Sequence, residues 1–191
     1  SSDVCSSDLV GGYASEPMSR AAIKAEVPLV CVSYDRIPGL ATRRQAKRAA
    51  ICAVAFPDSQ LPNAVHTGAP VRAAIRHLNV TNDRESARRE LDIPAHRLLV
   101  TVTGGSLGSG VLNTMVSELL SKLSSAARDV AVLHVCGIRN NDDPLPEVPE
   151  GLWYRRVGYE DRMAQVYAAT DVLVGRAGAS TVAEIATVGL A

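Results

Sequence analysis

The chain has 191 residues, with 20 Lys and Arg against 20 Asp and Glu, 47% hydrophobic residues and only 4% aromatic ones. Zero net charge speaks against a nucleic-acid binder held by bulk electrostatics. No unbroken apolar run reaches the roughly 18 residues that a membrane-spanning helix needs, and the first residues lack the charged-then-apolar pattern of a signal peptide.

In chain order, Ser1 to Leu9 shows no apolar period. The string DVCSSDL is what a common sequencing-adapter tail gives when translated, so residues 1–9 are expected to be non-native and are set aside from fold reasoning. Gly11 to Pro17 reads as a loop and Met18 to Ala25 as a helix. Val27 to Ser33 is a short apolar strand. A basic helix, Ala41 to Ala49, follows the turn Ile37-Pro-Gly-Leu40. Ala50 to Phe56 and Asn63 to Thr67 are further strands. Ala73 to Pro94 is polar, with Ser86 to Leu91 helical, and marks the passage to a second domain.

Arg97 to Thr103 is the clearest strand, and it runs into Gly104-Gly105 and a helix from Val111 to Leu123. Strands then follow at Val130 to Val135, Leu152 to Val157 and Asp171 to Gly175. Helices are read at Met163 to Ala169 and Thr181 to Val188, and Asn140 to Glu150 is a Pro- and Asp-rich loop. Strands alternating with helices predict parallel sheets in an α/β fold. The chain stops at Gly189-Leu-Ala191, where a helix should end and a strand begin, so it is expected to be a piece cut at both ends.

Two stretches carry chemistry. Gly104-Gly-Ser-Leu-Gly-Ser109 and Arg176-Ala-Gly-Ala-Ser-Thr-Val-Ala-Glu184 each follow an apolar strand and open a helix. Such turns place backbone N–H groups and a helix N-terminus at the C-terminal end of a strand, an arrangement suited to a nucleotide diphosphate. The first lacks the spacing and the Lys of a P-loop, so it is either a phosphate-binding turn or a tight turn without ligand. In the second, Thr181 and Glu184 fit a capping box, with Thr181 as N-cap. The same positions suit a site in which helix amides meet a phosphate and Glu184 takes ribose hydroxyls.

Arg43, Arg44, Lys47 and Arg48 form either a solvated basic face or a contact for anionic lipid or a diphosphate. His134, within a strand, reads as structural. Four cysteines without a C-x-x-C pair and four scattered histidines give no metal-ligand spacing, so no metal is expected. The cysteines read as reduced, mostly buried residues of a cytosolic protein.

Five features in order resemble the MurG glycosyltransferases: GGYASEP from Gly11, IPGL from Ile37, AFP from Ala55 with GAPVR from Gly68, GGSLGSGVLN from Gly104, and RAGASTVAEIATVGL from Arg176. The resemblance runs from about Leu9 to Ala191, roughly the middle half of such an enzyme. It implies the GT-B fold, two Rossmann-like parallel-sheet domains with a cleft between them. Residues 10–71 would be the later half of the acceptor-side domain, and residues 72–191 a truncated donor domain. The implied reaction is inverting transfer of N-acetylglucosamine from UDP-GlcNAc to lipid I, giving lipid II. It needs no cofactor and no obligatory metal, and it takes place at the cytoplasmic face of the bacterial membrane, where the enzyme is peripheral.

The resemblance further implies donor-side roles. Gly105 and Ser106 face the diphosphate, and Arg72 contacts the nucleotide. The backbone around Glu160 reads the uracil edge. Arg176, Ser180 and Thr181 line the phosphate site, and Glu184 binds the ribose. Gly11, Gly12, Tyr13 and Ser15 fall on the acceptor side, with Asp35 where the family has Asn. Ala69 replaces the Asn before Pro-Val-Arg and Leu107 replaces a Gln; these departures bear on the acceptor and the loop. The family's catalytic His lies upstream and its GlcNAc-reading Gln segment downstream, so no catalytic base is assigned and the piece alone is expected to be inactive. The alternatives are another UDP-sugar transferase of this fold, a UDP-GlcNAc 2-epimerase, or a non-catalytic UDP-sugar-binding module.

Overall fold

The computed structural model describes residues 7–9 and 15–190. The chain divides into two compact units, one up to Pro70 and one from Val71. The first unit holds a parallel sheet built from β1 (Ser7–Leu9), β2 (Leu29–Ser33), β3 (Ile51–Val54) and β4 (Ala64–His66), in that spatial order. Helix α1 (Glu16–Lys24) connects β1 to β2, and α2 (Leu40–Ala46) connects β2 to β3. Parallel neighbours need such crossovers, because no tight turn returns a chain to run in the same direction.

Burial alternates along β2, with Leu29, Cys31 and Ser33 inside and Val30 and Val32 half-buried. This two-residue period packs Leu29 and Cys31 with Ala46, Ala49, Cys52, Val54 and Leu61 into one core. Ser7–Leu9, within the stretch set aside as non-native, pairs its backbone with Leu29 to Cys31. That pairing is made by main-chain groups, which every sequence carries, so an absent apolar period did not forbid it.

The second unit begins with two helices, α3 (Ala73–Arg76) and α4 (Val80–Glu90). Its sheet comprises β5 (Leu98–Thr103), β6 (Val130–Val135), β7 (Trp153–Val157) and β8 (Val172–Gly175), in the order β7-β6-β5-β8 and parallel throughout. Helices α5 (Gly110–Lys122), α6 (Met163–Ala169) and α7 (Ala179–Val188) complete it. One sheet face packs Leu99, Ala131 and Leu133 against Ala87 and Leu91 of α4 and Val166 and Ala169 of α6. The other packs Val102 and Val132 against Val116 and Leu120 of α5. Odd and even strand residues thus serve opposite cores, which is why the strands read as continuous apolar runs.

The α/β expectation with two parallel sheets holds, and most element bounds move by one to three residues. Helix α4 is the exception. It starts at Val80, six residues ahead of the expected Ser86, because Asn79 caps it: its Oδ1 accepts from the Asn82 N–H at 3.1 Å, while Asp83 accepts from the Asn79 N–H at 2.9 Å. A polar first turn without apolar period is stabilised by this reciprocal cap.

An ionic node ties the second unit together. Arg88, 4% exposed, donates to the Ala169 carbonyl, to the carbonyls of Pro94, Ala95 and Arg97, and to Asp171 at 2.6 Å. Asp171 also accepts from Arg84 and from the Leu99 N–H. The node joins α4 to the starts of β5 and β8. Burying a guanidinium is costly unless every donor is met. Asp171→Ala leaves Arg88 without its counter-charge and the Leu99 amide without its acceptor. It is expected to lower stability by about 3 kcal/mol, read as a shifted urea midpoint; a midpoint within error of the parent would contradict the assignment.

Candidate functional site

Beside β5 the winding of the second sheet reverses. The chain leaves β5 through α5 toward β6 and β7, then returns through α6 to β8 on the opposite side of β5. At such a reversal the loops leaving two neighbouring strands diverge to opposite faces and leave a crevice at their carboxyl ends. Here those loops are residues 104–109 and 176–178.

The first loop is held by close backbone approach. A Cβ on Gly104 would lie 2.4 Å from the Ser109 nitrogen, and one on Gly108, at φ +80°, would lie 2.0 Å from the Cys136 carbonyl oxygen. Only glycine fits either place. The Gly105 N–H reaches Thr103 Oγ1 at 3.3 Å, the Gly108 N–H donates to the Gly105 carbonyl at 2.9 Å, and the Ile138 N–H donates to the Ser106 carbonyl at 3.3 Å. Ser109 is the N-cap of α5, and no side chain caps that helix.

The second loop corrects the capping expectation. The N-cap of α7 is Gly178, in extended backbone, three residues before Thr181, and no side chain caps this helix. Gly178 accepts from the Val182 N–H at 2.9 Å. Thr181 is therefore the third residue of the helix, and its capping box with Glu184 does not form. The small residues Ala179 and Ser180 let the helix start earlier. The amides of Ala179, Ser180 and Thr181 lie in the first turn, where N–H groups have no intrahelical acceptor.

A cavity of about 260 Å³ lies at this reversal. Its walls include Arg72, Gly105, Ser106, Glu160, Ser180, Thr181 and Glu184. Seven of the eight residues expected on the donor side are thus brought together, from segments up to 112 positions apart. Arg176 is the one left out: it is exposed beyond β8, and its carbonyl accepts from the Gly178 N–H. The walls also hold Thr103, Val135, Tyr159, Met163 and Tyr167, which sequence reasoning missed. Tyr167 lies in an apolar helix where its ring reads as core, and no local signal gives the direction of its hydroxyl.

Glu184 is held from two sides. One carboxylate oxygen accepts from Arg72 Nε at 3.1 Å and the other from the Tyr167 hydroxyl at 2.7 Å. Its side chain is 12% exposed against 53% for Arg72. Glu160 behaves differently. Its carboxylate turns back onto its own loop, accepting from the Arg162 N–H and from Arg162 Nε, both at 3.0 Å. Burial raises its pKa, but these bonds win and hold it below the usual carboxylate range. The Glu160 side chain fixes the turn before α6.

On the acceptor side, Gly11, Gly12 and Tyr13 lie outside the described residues. Ser15 accepts from Gln45 Nε2 at 2.7 Å, linking the start of α1 to α2. Asp35 is exposed just beyond β2. Among the described residues, no group of three or more His, Cys, Asp or Glu side chains could hold a metal ion. Nor is any described helix long and apolar enough to cross a membrane.

The glycosyltransferase family 28 C-terminal domain matches residues 99–191. A UDP-N-acetylglucosamine--N-acetylmuramyl-(pentapeptide) pyrophosphoryl-undecaprenol N-acetylglucosamine transferase from Nocardioides sp. is 42% identical over 181 residues, covering 94% of this chain and 49% of that protein. The protein of the same name from Paenarthrobacter aurescens is 40% identical over 185 residues, covering 95% and 48%. The crystal structure of MurG from Acinetobacter baumannii matches with a TM-score of 0.63 at 24% identity, over 95% of this chain and 49% of that one, and shows the fold. The chain spans about half the length of the curated relatives it matches.

A second hollow, about 340 Å³, lies between α5 and the loop 140–146 and contains His134. His134 Nε2 faces Asn113 Oδ1 at 2.9 Å and Nδ1 faces the Tyr154 hydroxyl at 3.1 Å, while Asn113 Nδ2 donates to the Cys136 carbonyl. Every polar atom of this trio is met, so it ties α5 to β6 and β7. Burial, then the nearby Arg156 charge, lowers the His134 pKa to about 4. An unfolded chain takes up that proton near 6.5, so the folded state loses ground as pH falls from there toward 4. Between pH 7 and pH 5 the loss from this group should be about 2 kcal/mol. Urea unfolding of the parent and of His134→Gln checks this: the variant's stability should fall less over that interval, and parallel curves would contradict it.

Proposed function

Because this chain belongs to the MurG family of glycosyltransferases, we propose that its second unit binds the nucleotide of UDP-GlcNAc. The parent enzyme would transfer N-acetylglucosamine from that donor to lipid I, forming lipid II for peptidoglycan. Residues 72–191 serve the donor and residues 10–71 the acceptor. The enzyme works as a peripheral protein at the cytoplasmic face of the membrane, where lipid I is anchored.

The observation that carries this reading is the pairing of unlike groups in one cavity. Gly105 and Ser106 of the loop before α5 and Ser180 and Thr181 of the uncapped first turn of α7 line it, and the Glu184 carboxylate is fixed within it. A nucleoside diphosphate has the complementary parts. Its phosphates carry negative charge that helix-terminal amides attract, and its ribose offers two hydroxyl donors that a carboxylate accepts. Arg72 adds positive charge at the rim. The loop around Glu160 presents backbone to the uracil edge, and Arg176, exposed just beyond β8, supplies a positive charge for the phosphates.

In the reaction, the acceptor O4 attacks the anomeric carbon, the bond from that carbon to the UDP oxygen breaks, and the configuration inverts. The charge that develops on the departing diphosphate is met by amides of Gly105, Ser106, Ser180 and Thr181, already oriented before the reaction. No residue of this chain is assigned to remove the O4 proton.

A chimera tests the proposal. In the Nocardioides relative, the matching segment is replaced by residues 72–191 of this chain, and labelled GlcNAc is followed from UDP-GlcNAc to a lipid I analogue. The folded chimera should add one GlcNAc, and Glu184→Ala within it should lower kcat/KM by about tenfold or more. Epimerised sugar without transfer, or UDP binding without turnover, would refute it.

A further inference from the structure

Tyr167 is only 2% exposed and sits on α6, with its ring enclosed and its hydroxyl at the cavity wall. That hydroxyl donates to Glu184 across two helices, at 2.7 Å. A phenol has one proton to donate, and here it goes to one carboxylate oxygen. Burial and this bond push its pKa well above its ordinary value, so it stays a donor at all neutral pH values. The other hold on Glu184 comes from Arg72, which is half exposed and on a flexible stem.

The two holds are unequal. A glutamate on a helix has three rotatable bonds, and freezing them on ligand binding costs affinity. A ring locked in the core removes that freedom beforehand; an exposed guanidinium does so far less. With each oxygen taking one donor, the carboxylate keeps acceptor capacity for two more. That remaining capacity matches the two vicinal hydroxyls of a ribose.

We propose that Tyr167 is a positioning residue for ribose recognition: it holds the Glu184 carboxylate in the orientation that accepts the 2′- and 3′-hydroxyls of a nucleoside diphosphate, and so makes the site selective for ribonucleotides over deoxyribonucleotides. This rests on the nucleotide-binding reading of the same cavity. It adds a residue that touches no ligand and acts through another.

The test compares UDP with 2′-deoxy-UDP on the 191-residue chain by calorimetry. The parent should bind UDP more tightly than the deoxy form. Tyr167→Phe, which keeps the ring, should weaken UDP about tenfold and 2′-deoxy-UDP, which keeps one of the two hydroxyls, by a clearly smaller factor of about threefold, narrowing the selectivity. In a Glu184→Gln background the same change should add little. Equal weakening of both ligands, or none, would show a merely structural tyrosine and overturn the proposal. Parent protein that binds neither ligand would overturn the nucleotide-binding reading, and the present one with it. Should the variant fold poorly, the hydroxyl proton of Tyr167 in the parent serves instead. Its resonance should move further on adding UDP than on adding 2′-deoxy-UDP, and equal movement would overturn the proposal.

Discussion

A parallel sheet whose winding reverses beside its first strand brings two strand-to-helix loops to one crevice, and the chemistry of the second unit depends on this constraint. Each α-helix begins with amides that its own turns do not satisfy. Evolution usually covers them with a Ser, Thr, Asp or Asn side chain. In α5 and α7 no side chain does so, although Ser109 stands at the N-cap of one and Thr181 lies in the first turn of the other. The polar side chains are at hand and the amides are nonetheless left open. The cavity is lined by Gly105 and Ser106 of the loop before α5 and by Ser180 and Thr181 in the first turn of α7, and an anionic ligand is the natural partner for such amides.

The rest of the unit keeps that crevice in register. The Arg88–Asp171 node joins α4 to the starts of β5 and β8, at the opposite end of the strands from the loops that matter. Fixing β5 against β8 there sets the spacing between residues 104–109 and 176–178. His134, Asn113 and Tyr154 do the equivalent for α5, β6 and β7 with neutral groups. Both devices use buried polar groups with every partner supplied, which favours a single arrangement of the strands over slipped alternatives. Glu184 then receives its orientation from α6 through Tyr167 and from the start of the unit through Arg72.

Much of the fold was legible in the sequence, for particular reasons. Continuous apolar runs such as Leu98–Thr103 and Val130–Val135 mark strands buried on both faces, and the glycines at 104, 105 and 108 mark a turn that side chains would obstruct. Helix α4 was half missed because its first turn is held by a polar cap with no apolar period to read. Thr181 and Glu184 fit a capping box by spacing alone; the helix begins three residues before that frame, with Gly178 as its N-cap, and Glu184 meets Tyr167 instead. Seven donor-side positions converge on one cavity, but that convergence is a product of strand order, which no local pattern encodes. Tyr167 was invisible for the same reason, since its role depends on α7, seventeen residues away from it.

The most direct measurement is an amide chemical-shift titration of the 191-residue chain with UDP. The account predicts that the largest shifts fall on Gly105 and Ser106 and on Ser180 and Thr181, two separate sequence segments responding together with one affinity. Amides around His134 in the second hollow should stay still. Shifts confined to one of the two loops, or centred on the second hollow, would contradict the claim that the two loops form a single nucleotide site.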